Sequence, residues 1–332
     1  PRRQQHPQIP PKQGVLLAAG ILYGGTCAPG LVWQDSGMIQ YRVWHNDIEG
    51  GLGLALSHPL FYVLAIGAKS IPLGEFPWRV NLVSALAGAA AVSNLFLLLY
   101  LWQGRIAAAL VGAGSLALSH TFWAHAAIPE TYNLYVALLL AELIFLWLYM
   151  HSKQQRYLYG LALCNGLAVA NHMLGSLSLL VYVCLVVFWL GRRVIPVRTA
   201  AVMIGCWMIG ALPYEYLIVK NIIQTGDVAA VLQSAAFGTQ WQEEVLNTRM
   251  NGTIVKENLM FLFYNFPTPL LVLLPIGLVG ACRKGVGDAF GRINMVLLLL
   301  YFLFAFRYTI VDRYAFFIPF YGLAAVFIGA GC

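Results

Sequence analysis

Apolar residues gather along the chain in runs that fall at roughly 14–32, 79–101, 105–122, 131–150, 156–173, 174–190, 198–222, 260–281, 293–309 and 314–330. Each is close to the roughly 17 to 25 residues a helix needs to cross a bilayer. Within lipid, a spanning segment must satisfy its own backbone donors and acceptors, which a helix does. The pattern therefore predicts an all-α, polytopic transmembrane bundle of about ten helices, extending over residues 1–332 as a single membrane domain with no separate soluble domain. One further stretch, His58–Leu73, is apolar but short, contains Lys69 and leads into the Pro/Gly-rich segment Ile71–Pro77.

Charge decides how that short stretch is read. If it lies in the membrane interface instead of crossing, one side collects twelve of the twenty basic residues (Arg2, Arg3, Lys12, Arg105, Lys153, Arg156, Arg192, Arg193, Arg198, Arg283, Lys284 and Arg292) against one acid, Asp288. The other side then holds eleven of the thirteen acids, and Glu142 is left inside a helix. That segregation follows the positive-inside bias of cytoplasmic loops, so His58–Leu73 is read as an interfacial helix on the outer face. Two outer loops are then long, at about 33–78 and 224–258. Long loops in compact structures tend to be functional, which directs the search for chemistry to the non-cytoplasmic side.

Composition agrees: 60% of the 332 residues are hydrophobic, 10% are charged and the mean hydropathy is +0.73, against roughly 25% charged residues in soluble domains. The formal net charge of +7 reports topology, and no basic stripe with interleaved aromatics indicates nucleic acid. The six cysteines stand singly, without CxxC spacing, and are read as packing residues. The basic start, Pro1–Lys12, precedes an apolar run without a small-residue cleavage site, which suggests a retained first helix in a processed or trimmed chain. No P-loop, dinucleotide fingerprint, HExxH or GxSxG context is present.

Candidate chemistry sits on the outer side. Asp35, in Asp35-Ser36-Gly37, reads first as an N-cap and second as a general base for an acceptor hydroxyl. His58-Pro59 opens the interfacial helix, as a cap or as an anion contact at free helix amides. Glu130 lies in Pro129-Glu130-Thr131-Tyr132, either as an ordinary first-turn acid of the next helix or as a functional acid. Trp123, His125 and Tyr132 are candidates to line a sugar site. Asn171-His172 ends another helix on this side, and Arg307 and Arg313 flank the last outer turn, where arginines snorkel or bind lipid phosphate. Asn251-Gly252-Thr253 is a glycosylation sequon. A divalent cation shared by Asp35 and Glu130 is possible chemistry that the spacing does not demand.

Taken in order, Asp35-Ser36-Gly37, His58-Pro59, Phe76-Pro77-Trp78-Arg79-Val80-Asn81-Leu82, Ser119-His120-Thr121-Phe122-Trp123 running to Glu130-Thr131-Tyr132-Asn133-Leu134, Gly166-Leu167-Ala168-Val169-Ala170-Asn171-His172 and Asp312-Arg313-Tyr314 resemble the successive motifs of the polytopic protein O-mannosyltransferases of the receptor-ectodomain type and their bacterial relatives. These belong to the GT-C superfamily, and the resemblance covers about residues 14–320. It implies a GT-C bundle and an inverting glycosyltransferase that uses a polyprenyl-phosphate sugar donor, with mannose as one candidate sugar, and a protein or glycan hydroxyl acceptor at the bilayer. Asp35 is then the base and Glu130 a second acid. His58, Asn171, His172, Arg307 and Arg313 are the donor phosphate or sugar ligands. Two departures, Met38 after Asp-Ser-Gly and Leu60 after His-Pro, bear on the acceptor. The expected setting is a bacterial inner membrane in preference to the endoplasmic reticulum, with the site on the periplasmic or lumenal side. Rival readings are a transporter or flippase, for which Glu142 is the one mid-helix acid, and a non-catalytic subunit of a membrane complex.

Overall fold

The structure is a computed structural model that describes residues 12–238, 243, 252–282, 286–308, 310 and 312–332. The sequon asparagine, Asn251, lies outside the described residues. All ten apolar runs appear as helices: α1 (Lys12–Thr26), α4 (Phe76–Gln103), α5 (Ile106–Ala117) with α6 (His120–Ala126), α7 (Tyr132–Ser152), α8 (Arg156–Asn171), α9 (Gly175–Gly191), α10 (Val197–Thr225), α12 (Gly252–Asn265) with α13 (Leu273–Ala281), α14 (Val286–Arg307) and α15 (Ile318–Ala330). Three shorter helices lie between them: α2 (Gln34–Trp44), α3 (Pro59–Lys69) and α11 (Val228–Phe237). Among the described residues there is no strand. Five helical segments are long and apolar enough to cross a membrane, and two bent pairs bring the number to seven. Helices α1, α8 and α9, with 15, 16 and 17 residues, fall short of that length. The chain is an integral, multi-pass membrane protein.

Three runs read from sequence as continuous helices end early or break. The first stops at Thr26 and not at residue 32, because Pro29 and Gly30 follow and the residue before a proline is pushed out of the helical region. The run at 260–281 bends by 114° between α12 and α13. Pro267 and Pro269 each remove a backbone donor there, and a 3₁₀ turn, Pro269–Val272, takes up the corner. The run at 105–122 bends by 68° between α5 and α6. That break is held across the bundle: the Oδ1 of Asn265, at the end of α12, accepts from Ser119 Oγ at 2.9 Å and from the Thr121 amide at 2.8 Å, satisfying donors that the start of α6 leaves open.

Helices α4, α7 and α15 form the centre, and α15 is buried along almost its whole length. Helices α8 and α10 pack closely, so that a β-carbon on Gly166 would lie 2.1 Å from the Trp207 carbonyl oxygen and one on Gly210 would lie 2.4 Å from that of Leu163. Only glycine permits that separation, the usual device for helices packing in lipid. Helix α3 has 11 residues, too few to span, as the charge argument requires. Glu142, in the middle of α7, is fully buried and accepts from Asn165 Nδ2 at 3.2 Å. Asn165 in turn donates to Ser178 Oγ and accepts from Trp207 Nε1. This acid ties α7, α8, α9 and α10 together.

Candidate active site

The loop after α1 is fixed by two buried amides. Asn81, from the Phe76–Leu82 motif in α4, donates to the Ala28 carbonyl at 2.8 Å and accepts from Gln40 Nε2 at 2.8 Å, while Gln40 Oε1 accepts from the Val32 amide at 3.1 Å. These contacts set where α2 begins. Gly37 then faces Val32 so closely that a β-carbon would lie 2.5 Å from the Val32 carbonyl oxygen, which accounts for glycine as the third residue of Asp-Ser-Gly. The N-cap of α2 is Trp33, and the expected capping role of Asp35 is not observed: Asp35 stands exposed in the first turn, and its carboxylate makes no hydrogen bond among the described residues.

Beside it, Ser36 is buried and donates to Glu130 Oε1 at 2.7 Å. Glu130 precedes α7, which starts at Tyr132, so it is not a first-turn residue. Its amide donates to Ser84 Oγ at 2.8 Å, and Ser84 Oγ donates back to the Glu130 carbonyl at 2.9 Å. Burial, above all, raises the carboxyl of Glu130 to about 8; the negative fields of Asp35 and Asp312 push the same way and the bond from Ser36 opposes them. Asp312 is also raised, by burial first and then by Asp35. Three acids thus converge electrostatically, of which Asp312 was quoted in the sequence only as part of a motif. Among the described residues no three His, Cys, Asp or Glu side chains form a group that could hold a metal ion.

His58, Asn171 and His172 come together from α3 and the end of α8. His58 caps α3 with φ 51° and ψ 45°, a left-handed conformation uncommon outside glycine. Its Nδ1 lies 3.0 Å from the Asn171 carbonyl oxygen, and its ring lies 4.7 Å from that of His172. The rings of Tyr132 and Phe316 approach His172 at 5.1 and 6.1 Å. Asn171 is fully buried, donates to the Thr131 carbonyl at 2.9 Å and leaves Oδ1 without a partner among the described residues. Burial is the main cause that lowers His58 to about 4, with Arg42 adding to it, and burial takes His172 well below the ordinary histidine range. Both rings are therefore neutral near pH 7.

The remaining candidates are placed less centrally. His125 is buried, donates from Nδ1 to the Thr121 carbonyl at 2.8 Å, and meets Tyr132 and Tyr314 edge-on at 5.8 and 5.9 Å. Trp123 is half-buried and spends its Nε1–H on Thr26 Oγ1 at 2.9 Å. Arg313 ion-pairs with Glu257 and donates to Asn258 Oδ1 at 3.2 Å. Arg307 lies over the Phe304 ring at 5.2 Å, and that ring contacts Phe316, which borders His172.

Sequence reasoning passed over Arg42. It is buried in α2, stacks at 3.7 Å on Tyr62, donates to the Ser57 carbonyl at 3.2 Å and pairs with Asp47 at 3.5 Å. It therefore fixes the backbone immediately before His58. The available signal was its place among the few basic residues on the acidic side. Glu49 completes this loop by bonding Lys220 and Asn221 of α10 at 2.6 and 2.7 Å.

Residues 55–194 match the family described as the protein O-mannosyl-transferase TMEM260 N-terminal domain. Over 185 residues, 53% of this chain, it is 26% identical to the protein O-mannosyl-transferase TMEM260 of Mus musculus, covering 26% of that protein. ArnT from Cupriavidus metallidurans, solved bound to undecaprenyl phosphate, superposes with a TM-score of 0.70 at 17% identity over 96% of this chain and 59% of ArnT. The apo ArnT structure gives 0.69 at 16% identity with the same coverage. The chain is thus similar in sequence to a protein O-mannosyl-transferase domain over residues 55–194 and shares the fold of ArnT. It spans about a quarter of the length of the mouse relative and 59% of ArnT. The family match contains His58, Glu130, Asn171 and His172, whereas Asp35, Arg307 and Arg313 lie outside it.

Proposed function

We propose that this chain is an inverting membrane glycosyltransferase that moves a sugar, mannose in the first instance, from a polyprenyl-phosphate carrier to a hydroxyl of a protein or glycan. Asp35 takes the proton of the acceptor hydroxyl. The freed oxygen pair attacks the anomeric carbon from the face opposite the phosphate, the sugar–phosphate C–O bond breaks, and polyprenyl phosphate leaves with that bond's electrons. Glu130, holding its proton near pH 7, positions the acceptor beside Asp35. Arg307 and Arg313 are the proposed partners of the leaving phosphate, since guanidinium stays charged where the buried imidazoles do not.

One observation carries this reading: an exposed carboxylate free to take a proton stands one residue from Ser36, which bonds a carboxyl biased to keep its proton. An exposed carboxylate beside one whose surroundings raise it is a recurrent arrangement for divided acid and base roles. The likeness to a structure bound to undecaprenyl phosphate supports a lipid-phosphate donor. The gathering of acids on one side and basic residues on the other supports a non-cytoplasmic site, in a bacterial inner membrane.

The test is release of polyprenyl phosphate from polyprenyl-phosphate mannose by the purified full chain in nanodiscs with a hydroxyl peptide acceptor. Asp35→Asn lowers turnover by about 10²- to 10⁴-fold while donor binding persists. Unchanged turnover overturns Asp35 as base, and no release by the wild type with any lipid-linked sugar overturns the activity.

A further inference from the structure

His58 and His172 differ in which nitrogen carries the proton. A carbonyl oxygen only accepts, so the 3.0 Å contact to Asn171 places the proton of His58 on Nδ1. An amide N–H only donates, so the 3.1 Å contact from Leu174 leaves Nδ1 of His172 bare. His172 is buried and His58 half-buried among protein groups, which disfavours a second proton on either ring. His58 is then left with a lone pair on Nε2 and His172 with an N–H on Nε2. Neither Nε2 has a hydrogen-bond partner among the described residues.

That arrangement is a poor match for a phosphate. A phosphate oxygen wants donors, and here it meets one donor beside the lone pair of His58, with the unpartnered Asn171 Oδ1, a further acceptor, on a residue bonded to that ring. A hydroxyl both donates and accepts, and it satisfies one acceptor and one donor together. The fold also holds His58 in the left-handed region, with Arg42 bonded to the preceding carbonyl. Such conformations concentrate at binding sites, where the surrounding structure enforces them. The aromatic rings of Tyr132 and Phe316 border His172 and are of the kind that packs on the apolar side of a pyranose.

We infer that His58 and His172 form a neutral, oppositely protonated pair that binds a hydroxyl of the lipid-linked sugar, with His58 Nε2 accepting from it and His172 Nε2 donating to it. The inference rests on the glycosyltransferase reading and removes these two residues from the phosphate ligands.

Two probes separate the possibilities: polyprenyl phosphate and polyprenyl-phosphate mannose, each titrated against the full chain in nanodiscs. Wild type binds the mannosylated lipid more tightly. His58→Phe and His172→Phe, which keep a ring and lose the polar nitrogen, weaken binding of the mannosylated lipid by about tenfold and leave that of the bare phosphate within about twofold. Equal weakening of both probes makes the pair a phosphate site and overturns the inference. So does an effect confined to the KM of the acceptor peptide. A wild type that binds both lipids equally, or a sugar preference that survives both substitutions, overturns the inference alone, whereas the glycosyltransferase reading falls only if no polyprenyl phosphate is released. As a check independent of these variants, ¹⁵N spectra of the histidine-labelled wild type show Nδ1–H for His58 and Nε2–H for His172; matching tautomers would sink the proposal.

Discussion

Ser36 Oγ donates to Glu130 Oε1 at 2.7 Å, joining the first turn of α2 to the segment just before α7. Among the described residues it is the one hydrogen bond that connects the Asp-Ser-Gly segment directly to the second acid. Its loss has a definite sign, because it stabilises the charged form against burial and two neighbouring acids.

Ser36→Ala therefore moves the Glu130 titration upward from about 8, by roughly 1 pH unit for one hydrogen bond to a charged group. The pH–rate profile of sugar transfer reports it: the limb assigned to Glu130 shifts to more alkaline pH in Ser36→Ala and disappears in Glu130→Gln. A profile unchanged in both variants would remove Glu130 from the chemistry.

The same raised carboxyl predicts how stability depends on pH. Between the ordinary Glu value of 4.5 and about 8, the folded state holds a proton that the unfolded state has lost. This contribution is fully present below 4.5 and is lost as pH rises through 8. Thermal unfolding in detergent from pH 5 to 9 shows a decline in wild type that is shallower in Glu130→Gln.

Gly37→Ala places a methyl group 2.5 Å from the Val32 carbonyl oxygen, and the first turn of α2 must shift to relieve it. Overpacking of this kind costs about 1–3 kcal/mol. The expected result is a large fall in transfer for a modest fall in unfolding temperature, because Asp35 and Ser36 ride on that turn. A fall in stability with turnover intact would show that the position of the turn does not matter.

Glu142→Gln keeps the acceptor that Asn165 uses and leaves unfolding close to wild type. Glu142→Leu strands Asn165 Nδ2 in part and costs about 1–3 kcal/mol. Loss of transfer in the Gln variant with normal stability would assign the carboxyl a chemical role in place of the structural one.

Helix packing gives a prediction away from the site. Gly210→Leu drives a side chain into the Leu163 backbone and separates α8 from α10, so the variant fails to give a monodisperse protein. Gly205→Leu in the same helix, where a β-carbon meets nothing within 4 Å, is tolerated.

Much of this was legible in the chain itself. The ten apolar runs all became helices, and the charge count correctly kept His58–Leu73 from being a span, because the cost of burying charge in lipid acts on each segment separately. The breaks at Ser119 and near Pro267 were harder to see. Proline marked the second, but the first is sustained by Asn265, a residue 146 positions away from Ser119. Local propensity carries no record of such a partner. Residue type and order also nominated Asp35, Glu130, His58 and His172. Only the tertiary structure decided that Asp35 is exposed and Glu130 half-buried, that Arg42 braces the turn at His58, and that Arg313 already has Glu257 as its partner. Protonation and hydrogen bonding depend on what surrounds a group in three dimensions, and those surroundings come from helices distant in sequence.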